Sequence, residues 1–319
     1  GYHPESPMRI HYTHTVFAHG DPDIRMVKPE RASTEDLRLV HTASHVDRVR
    51  RACAPGRCVS LDPDTVCSED SFETALYAAG SVVRLVQLAL AGEISSGFAL
   101  IRPPGHHATP GDAMGFCLFN NVAVAAEKAL RDMGVKRVLI VDFDVHHGNG
   151  TQEIFYDRKD VLYFSSHQYP FYPGTGSLGE TGGRGARGFT VNCPLSPRKD
   201  DGDFVALYRS VLVPVMEAFE PGLVLVSAGF DAHSMDPIGG MELSSAGYAA
   251  LAGLILETAG RLMSPVVFAL EGGYNLDALR ESVQAVVGVM KGEAAVQVRE
   301  HRFRELDAIC ENHSKFWPI

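Results

Sequence analysis

Two short stretches, residues 141–150 and 227–233, set carboxylate and imidazole side chains directly after apolar runs typical of buried parallel strands. In the first, Asp144 and His146 stand two apart. At that spacing side chains on an extended strand point the same way, so both can converge on one ion from a strand end. Asp231, in the second stretch, can complete the set from another strand. Two carboxylates and a neutral imidazole balance a divalent cation and leave coordination positions open, as a zinc-type hydrolytic site requires.

Taken alone, Asp144 and His146 are equally compatible with a helix cap and a buried, hydrogen-bonded histidine. Further strand ends supply groups of the same mechanism. Residues 102–108 read Arg-Pro-Pro-Gly-His-His-Ala, a rigid non-helical loop in which His106 and His107 can face a pocket side by side. Histidine exchanges a proton near neutral pH, and the partner of its far nitrogen sets its basicity. Tyr274 follows Glu271-Gly272-Gly273 at the end of another apolar run. From there its hydroxyl can reach over a cleft and donate to a developing oxyanion, although a tyrosine in such a place is more commonly part of a core.

The elements that must position these groups alternate from about residue 72 onward. Apolar spacing predicts a helix capped by Ser71 and ended by Gly92, then a strand at 98–101, a helix near 120–133, and strands at 138–143 and 161–164. Beyond a long glycine-rich loop at 166–187 come a strand at 189–193, a helix near 202–219 and a strand at 223–228. A helix near 244–263, a strand at 266–270 and a helix near 276–291 complete the order. Strands this apolar, alternating with helices, imply a three-layer α/β/α fold with a mainly parallel central sheet. Ligands bind such sheets outside the carboxyl ends of the strands, where the polar motifs fall. Residues 1–319 read as one catalytic domain, without repeats or low-complexity segments.

Composition narrows the remaining classes. A net charge of −10 argues against direct binding of nucleic acid, whose phosphates need a basic surface. No apolar stretch reaches membrane-spanning length uninterrupted and no secretory signal opens the chain, so a soluble, cytoplasmic protein without a membrane partner is expected. The six cysteines are scattered and form no CxxC pair, so reduced thiols are expected. The sequence opens at Gly1 instead of methionine, which leaves room for a preceding piece.

As an ordered set these motifs resemble the histone deacetylase family, within the arginase-deacetylase fold. The resemblance runs from His3-Pro4-Glu5-Ser6-Pro7 through the residues 102–107, Gly115-Phe116-Cys117, residues 142–152, Pro173-Gly174-Thr175-Gly176 and residues 229–240 to Glu271-Gly272-Gly273-Tyr274. It fades beyond about residue 292, and its wording is closer to class II and bacterial members than to class I. It implies one Zn2+ held by Asp144, His146 and Asp231, with His107 as general base and later acid, His106 as electrostatic partner held by Asp142, and Tyr274 as oxyanion donor. Asn149 stands behind His107 where class I members have an aspartate; a neutral partner stabilises imidazolium less, which suits a group that must begin as a neutral base.

The same resemblance implies a substrate tunnel lined by Gly115, Phe116, Tyr172 and Ile238, with Tyr172 in place of the usual phenylalanine. Asp64 matches the rim carboxylate that grips substrate backbone, although Asp62 lies close, and Arg9 matches a residue beneath the site. K+ or Na+ is implied near zinc at Asp142, Asp144, His146, Ser165 and Ser166, and at an outer site of Phe155, Arg158, Val161 and Phe189, where Arg158 replaces a smaller residue. The implied reaction is hydrolysis of an acyl-lysine peptide or a small acylated amine, with a homo-oligomer left open.

Three alternatives carry their own signatures. An acetylpolyamine amidohydrolase would place an acidic gatekeeper at position 238, which is isoleucine here. An arginase-like ureohydrolase needs a second metal-binding aspartate where Gly148 stands, and His233 replaces a further carboxylate. A noncatalytic acyl-lysine binder could dispense with His106, His107 and Tyr274, all of which are present.

Overall fold

The computed structural model describes residues 3–17 and 20–319. Its centre is a six-stranded sheet built from β3 (Ser96–Ala99), β4 (Val138–Asp142), β5 (Val161–Gln168), β6 (Thr190–Leu195), β7 (Leu223–Ala228) and β8 (Val266–Leu270). The strands lie in the order β3-β8-β7-β4-β5-β6 and every neighbouring pair is parallel. A separate antiparallel pair, β1 (Val59–Ser60) and β2 (Val66–Cys67), precedes them.

Period-two alternation divides the core. Val138, Ile140, Leu223, Leu225 and Val267 pack with α3 (Ala43–Ala52), α4 (Ser71–Leu90) and α5 (Asn121–Asp132) on one face. Leu139, Val141, Val224, Val226 and Phe268 pack on the other with α7 (Asp201–Leu207), α8 (Val213–Phe219), α9 (Ser245–Arg261) and α10 (Leu276–Met290). The result is the expected three-layer α/β/α arrangement. The remaining helices are α1 (Met8–His14), α2 (Thr34–Leu37), α6 (Asn149–Phe155) and α11 (Arg304–His313).

Several boundaries differ from the sequence reading for identifiable reasons. Asp70, not Ser71, is the N-cap of α4, and the Ser71 hydroxyl instead accepts from the Ser68 N–H at 2.9 Å. The first sheet strand is Ser96–Ala99, ending before Leu100 and Ile101, because its pairing with β8 stops at Ala269. β5 continues four residues past Phe164 into the segment read as loop. Its polar residues are tolerated because they are paired: Ser165 and Ser166 register with Asn192 and Cys193, the Ser165 hydroxyl meets His167 Nδ1 at 2.8 Å, and the Ser166 hydroxyl meets Tyr208 at 3.1 Å.

The helix expected over 202–219 is interrupted by a π-helical turn at Tyr208–Leu212 just ahead of Pro214. Proline has no N–H to continue the helical ladder and its ring crowds the preceding turn, which the wider register accommodates. All six cysteines are free thiols. Among the described residues no helix is long and apolar enough to cross a membrane.

Candidate metal centre and tunnel

The candidate site lies at the carboxyl edge of the sheet. β4 ends at Asp142, so Asp144 and His146 sit in the following loop and strand alternation is not what aims them. Local hydrogen bonds do this instead. Asp142 Oδ1 accepts from the Asp144 N–H at 3.2 Å, and Asp144 Oδ1 accepts from the His146 N–H at 2.9 Å. Asp231, three residues beyond the end of β7, is fixed by the Val145 N–H, which donates to its Oδ1 at 2.9 Å. Asp144 Oδ2 accepts from the Gly272 N–H at 2.8 Å.

These contacts bring Asp144, His146 and Asp231 together, with one ligand atom of each within 4.8 Å of the others. His146 Nδ1 lies 3.1 Å from both Asp144 Oδ1 and Asp231 Oδ2. A Cβ on Gly229 would collide with the Asp144 carboxylate, and one on Gly272 would meet both Asp144 and Asp231, so glycines clear the space around the ligands. The electrostatics fit a cation. Burial and the Asp144 charge push the Asp231 carboxyl up to about 7. Burial opposes protonation of His146, but its hydrogen bonds to Asp144 and Asp231 and their charges push it up to about 10. Two carboxylates in one dry site demand positive charge; a divalent ion would provide it and free the imidazole to bind as a neutral ligand.

The two adjacent histidines have different partners. His106 Nδ1 lies 3.0 Å from Asp142 Oδ2, which also accepts from the Tyr163 hydroxyl at 3.0 Å. Burial would lower His106, but the charges of Asp142 and Asp144 and the bond to Asp142 hold it well above the usual imidazole value. His107 Nδ1 lies 2.8 Å from Asn149 Oδ1. An amide oxygen only accepts, so Nδ1 carries the proton and Nε2 keeps its lone pair. Burial, reinforced by His106 and His146, keeps His107 well below the usual value and therefore neutral.

Asp64, Phe116, Tyr172 and Ile238 line a cavity of about 190 Å³ that reaches His107, His146 and Tyr274. Gly115 also borders it at φ +56°, where a Cβ would run into the His107 ring. Asp62 instead shapes the turn below, accepting from the N–H groups of Asp64 and Thr65. Burial keeps the Tyr274 phenol protonated by pushing it well above its usual value, partly offset by Arg9. The Arg9 guanidinium lies 4.9 Å from the Tyr274 ring centroid and donates to the carbonyls of Glu271 and Gly273.

Two contributors were given no role from sequence. Glu271 Oε2 accepts from the N–H groups of Gly105 and His106, at 2.6 and 3.2 Å, and so orients the histidine loop. Glu271 opens the Glu271-Gly272-Gly273-Tyr274 motif, which is the signal the sequence offers for it. Phe171 stacks on the His146 ring at 5.2 Å and 14°. Its neighbour Tyr172 meets His107 edge-on at 5.2 Å, and nothing in the local sequence distinguishes which aromatic faces which histidine.

Gly148 has no room for a side chain: a Cβ there would strike Asp142 Oδ2 and lie 2.6 Å from the Tyr163 hydroxyl oxygen. His233 is turned into a local bond, accepting from the Met235 N–H at 3.1 Å. Of the residues near a possible alkali ion, Ser165 registers beside Asp142 while the Ser165 and Ser166 hydroxyls are already engaged. At the outer set the Phe155 carbonyl accepts from the Arg158 N–H and the Phe189 carbonyl from the Tyr163 N–H. The Arg158 guanidinium is held by Asp160 and Glu127, and Val161 begins β5.

Comparison with known proteins points to one family. The sequence profile of the histone deacetylase domain matches residues 3–290. The chain is 39% identical over 339 residues to Histone deacetylase 5 of Arabidopsis thaliana, covering 99% of this chain and 51% of that protein. It is 42% identical over 298 residues to Histone deacetylase 15 of the same plant, covering 91% of this chain and 53% of that protein. The crystal structure of the HDA15 HD domain superposes with a TM-score of 0.94 at 38% identity, over 100% of this chain and 91% of that one. The chain thus spans about half the length of the two full-length relatives.

Proposed function

The chain belongs to the histone deacetylase family, and from that premise we propose that residues 1–319 form a single catalytic domain that hydrolyses N-ε-acetyl-lysine or a related small acylated amine. The observation that carries this reading is that His107, Tyr274 and His146 line one cavity, with His146 grouped with Asp144 and Asp231 at its base. Asp144, His146 and Asp231 would hold one Zn2+, which would supply Lewis acidity to the amide carbonyl and lower the pKa of a water.

The protein's own groups divide the remaining work. Phe116 and Tyr172 sheathe the alkyl chain, Asp64 at the mouth accepts from a substrate N–H, and Ile238 closes another side. His107 Nε2, with Nδ1 held by Asn149, takes a proton from the attacking water as the C–O bond forms. Tyr274 donates its hydroxyl to the oxygen that gains charge as the carbonyl carbon becomes tetrahedral. His107 then returns the proton to the departing amine nitrogen as the C–N bond breaks, releasing carboxylate and free amine. His106, held by Asp142, adds fixed charge beside the reacting atoms. Asp142, Asp144, His146, Ser165 and Ser166, and separately Phe155, Arg158, Val161 and Phe189, mostly through backbone carbonyls, are proposed to bind K+ or Na+.

Ile238 also ranks the substrates. It borders the cavity and offers no counter-charge to a second amine. Turnover of an acetyl-lysine peptide is therefore expected to exceed that of acetylspermidine at equal concentration, measured as kcat/KM for each. A large preference for the polyamine would reverse this ranking. The steric closure at Gly148 opposes a second metal and hence urea-releasing chemistry.

A further inference from the structure

The turn that carries Tyr274 has no regular secondary structure, yet its backbone polar groups are nearly all tied down. Arg9 takes the carbonyls of Glu271 and Gly273 from below, Asp144 accepts from the Gly272 N–H, and the Gly272 carbonyl accepts from the Phe230 N–H at 3.0 Å. The N–H groups of Tyr274 and Asn275 converge on a single atom, Asp236 Oδ2, at 2.6 and 3.2 Å. The other oxygen of the same carboxylate, Oδ1, accepts from the Ile238 N–H at 3.0 Å.

Asp236 is only 8% exposed and faces no lysine or arginine within ion-pairing distance among the described residues. Its charge is answered by these three N–H dipoles. It is not one of the grouped metal-ligating side chains, and it does not line the cavity. It does touch the backbone of two residues that line it, Tyr274 and Ile238.

We propose that Asp236 is a positioning residue whose carboxylate sets the place of the Tyr274 hydroxyl donor and ties it to the Ile238 wall. Two loops that arrive from different strands, β7 and β8, are thereby held in one register. Hydroxyl placement matters because an oxyanion donor acts only when it already stands at hydrogen-bonding distance from the developing charge. An asparagine at 236 keeps one oxygen acceptor, but its NH2 would face an N–H. One side of the bridge must then open.

The proposal rests on the deacetylase reading, and its test separates the two. In Asp236→Asn, kcat on an acetyl-lysine peptide is expected to fall about 10–100-fold with KM within about threefold, the size of effect seen when supporting groups around an active site are removed. In a Tyr274→Phe background the same substitution is expected to cost less than about threefold, because coupled residues are not additive. An equal loss in both backgrounds would overturn the positioning role. Amide hydrogen exchange gives a second readout that needs no turnover. Tyr274 and Asn275 are expected to exchange slowly in the unaltered protein and faster in Asp236→Asn, with distant helices unchanged. Rapid exchange of these amides in the unaltered protein would also overturn the proposal, even if the variant fails to fold. Inactivity of the unaltered protein on every acylated amine would instead remove the deacetylase reading and leave the exchange result to decide the role of Asp236.

Discussion

Tyr274→Phe is expected to lower kcat on an acetyl-lysine peptide by about 10²–10³-fold, the usual cost of removing one oxyanion donor. The substitution deletes a single hydroxyl from a residue that is 7% exposed and keeps the ring that packs against Arg9 and Phe116. Stability and zinc content should therefore change little, because the side chains grouped to hold the ion, Asp144, His146 and Asp231, are untouched. KM should also move less than kcat, since a hydroxyl that meets developing charge acts mainly in the transition state. Steady-state kinetics with metal analysis on the same preparation checks both parts. Unchanged kcat would place oxyanion stabilisation elsewhere.

The second large effect is expected at His107. Changing it to alanine removes the group that accepts the proton of water and delivers it to the amine, and general acid–base catalysis of this kind is worth about 10²–10⁴-fold. Because His107 stands outside the Asp144–His146–Asp231 group, zinc binding should survive. The loss combined with Tyr274→Phe should fall short of the product of the single losses, as groups that act on one transition state are not independent. Near-normal turnover by His107→Ala would transfer the proton chemistry to His106. The surroundings argue against that exchange: burial beside His106 and His146 leaves His107 a neutral base, whereas Asp142 and Asp144 favour the charged form of His106.

Much of this architecture was legible because parallel strands buried on both faces are nearly continuous apolar runs. Val138 to Val141 and Leu223 to Val226 announce themselves without any partner in view. The same rule hid the end of β5. Ser166 to Gln168 read as loop by type, and they are strand only because β6 and Tyr208 satisfy them. The helix α6 was hidden too, since Asn149-Gly150-Thr151-Gln152 offers little helical propensity and is held by its neighbours, with the Thr151 N–H donating to the His106 carbonyl.

For the site, residue types and order pointed to the groups that now stand together, but the mechanism of their placement differs. The two-residue spacing of Asp144 and His146 suits strand alternation, but the chain has already left the sheet there and main-chain hydrogen bonds aim the two side chains. The supporting parts played by Glu271, Phe171 and Asp236 do not follow from sequence for the same reason, although Glu271 and Asp236 lie within motifs of the resemblance. Their significance lies in which distant N–H or ring they meet, and no spacing along the chain encodes that.

The central claim, one catalytic metal held by Asp144, His146 and Asp231, is tested most directly by metal titration. Chelator-treated protein should be inactive on an acetyl-lysine peptide, and activity should rise linearly with added Zn2+ to a plateau at one equivalent per chain. The Asp231→Ala variant should show no such rise. Full activity after verified removal of metal, or a plateau only at two equivalents, would contradict the account.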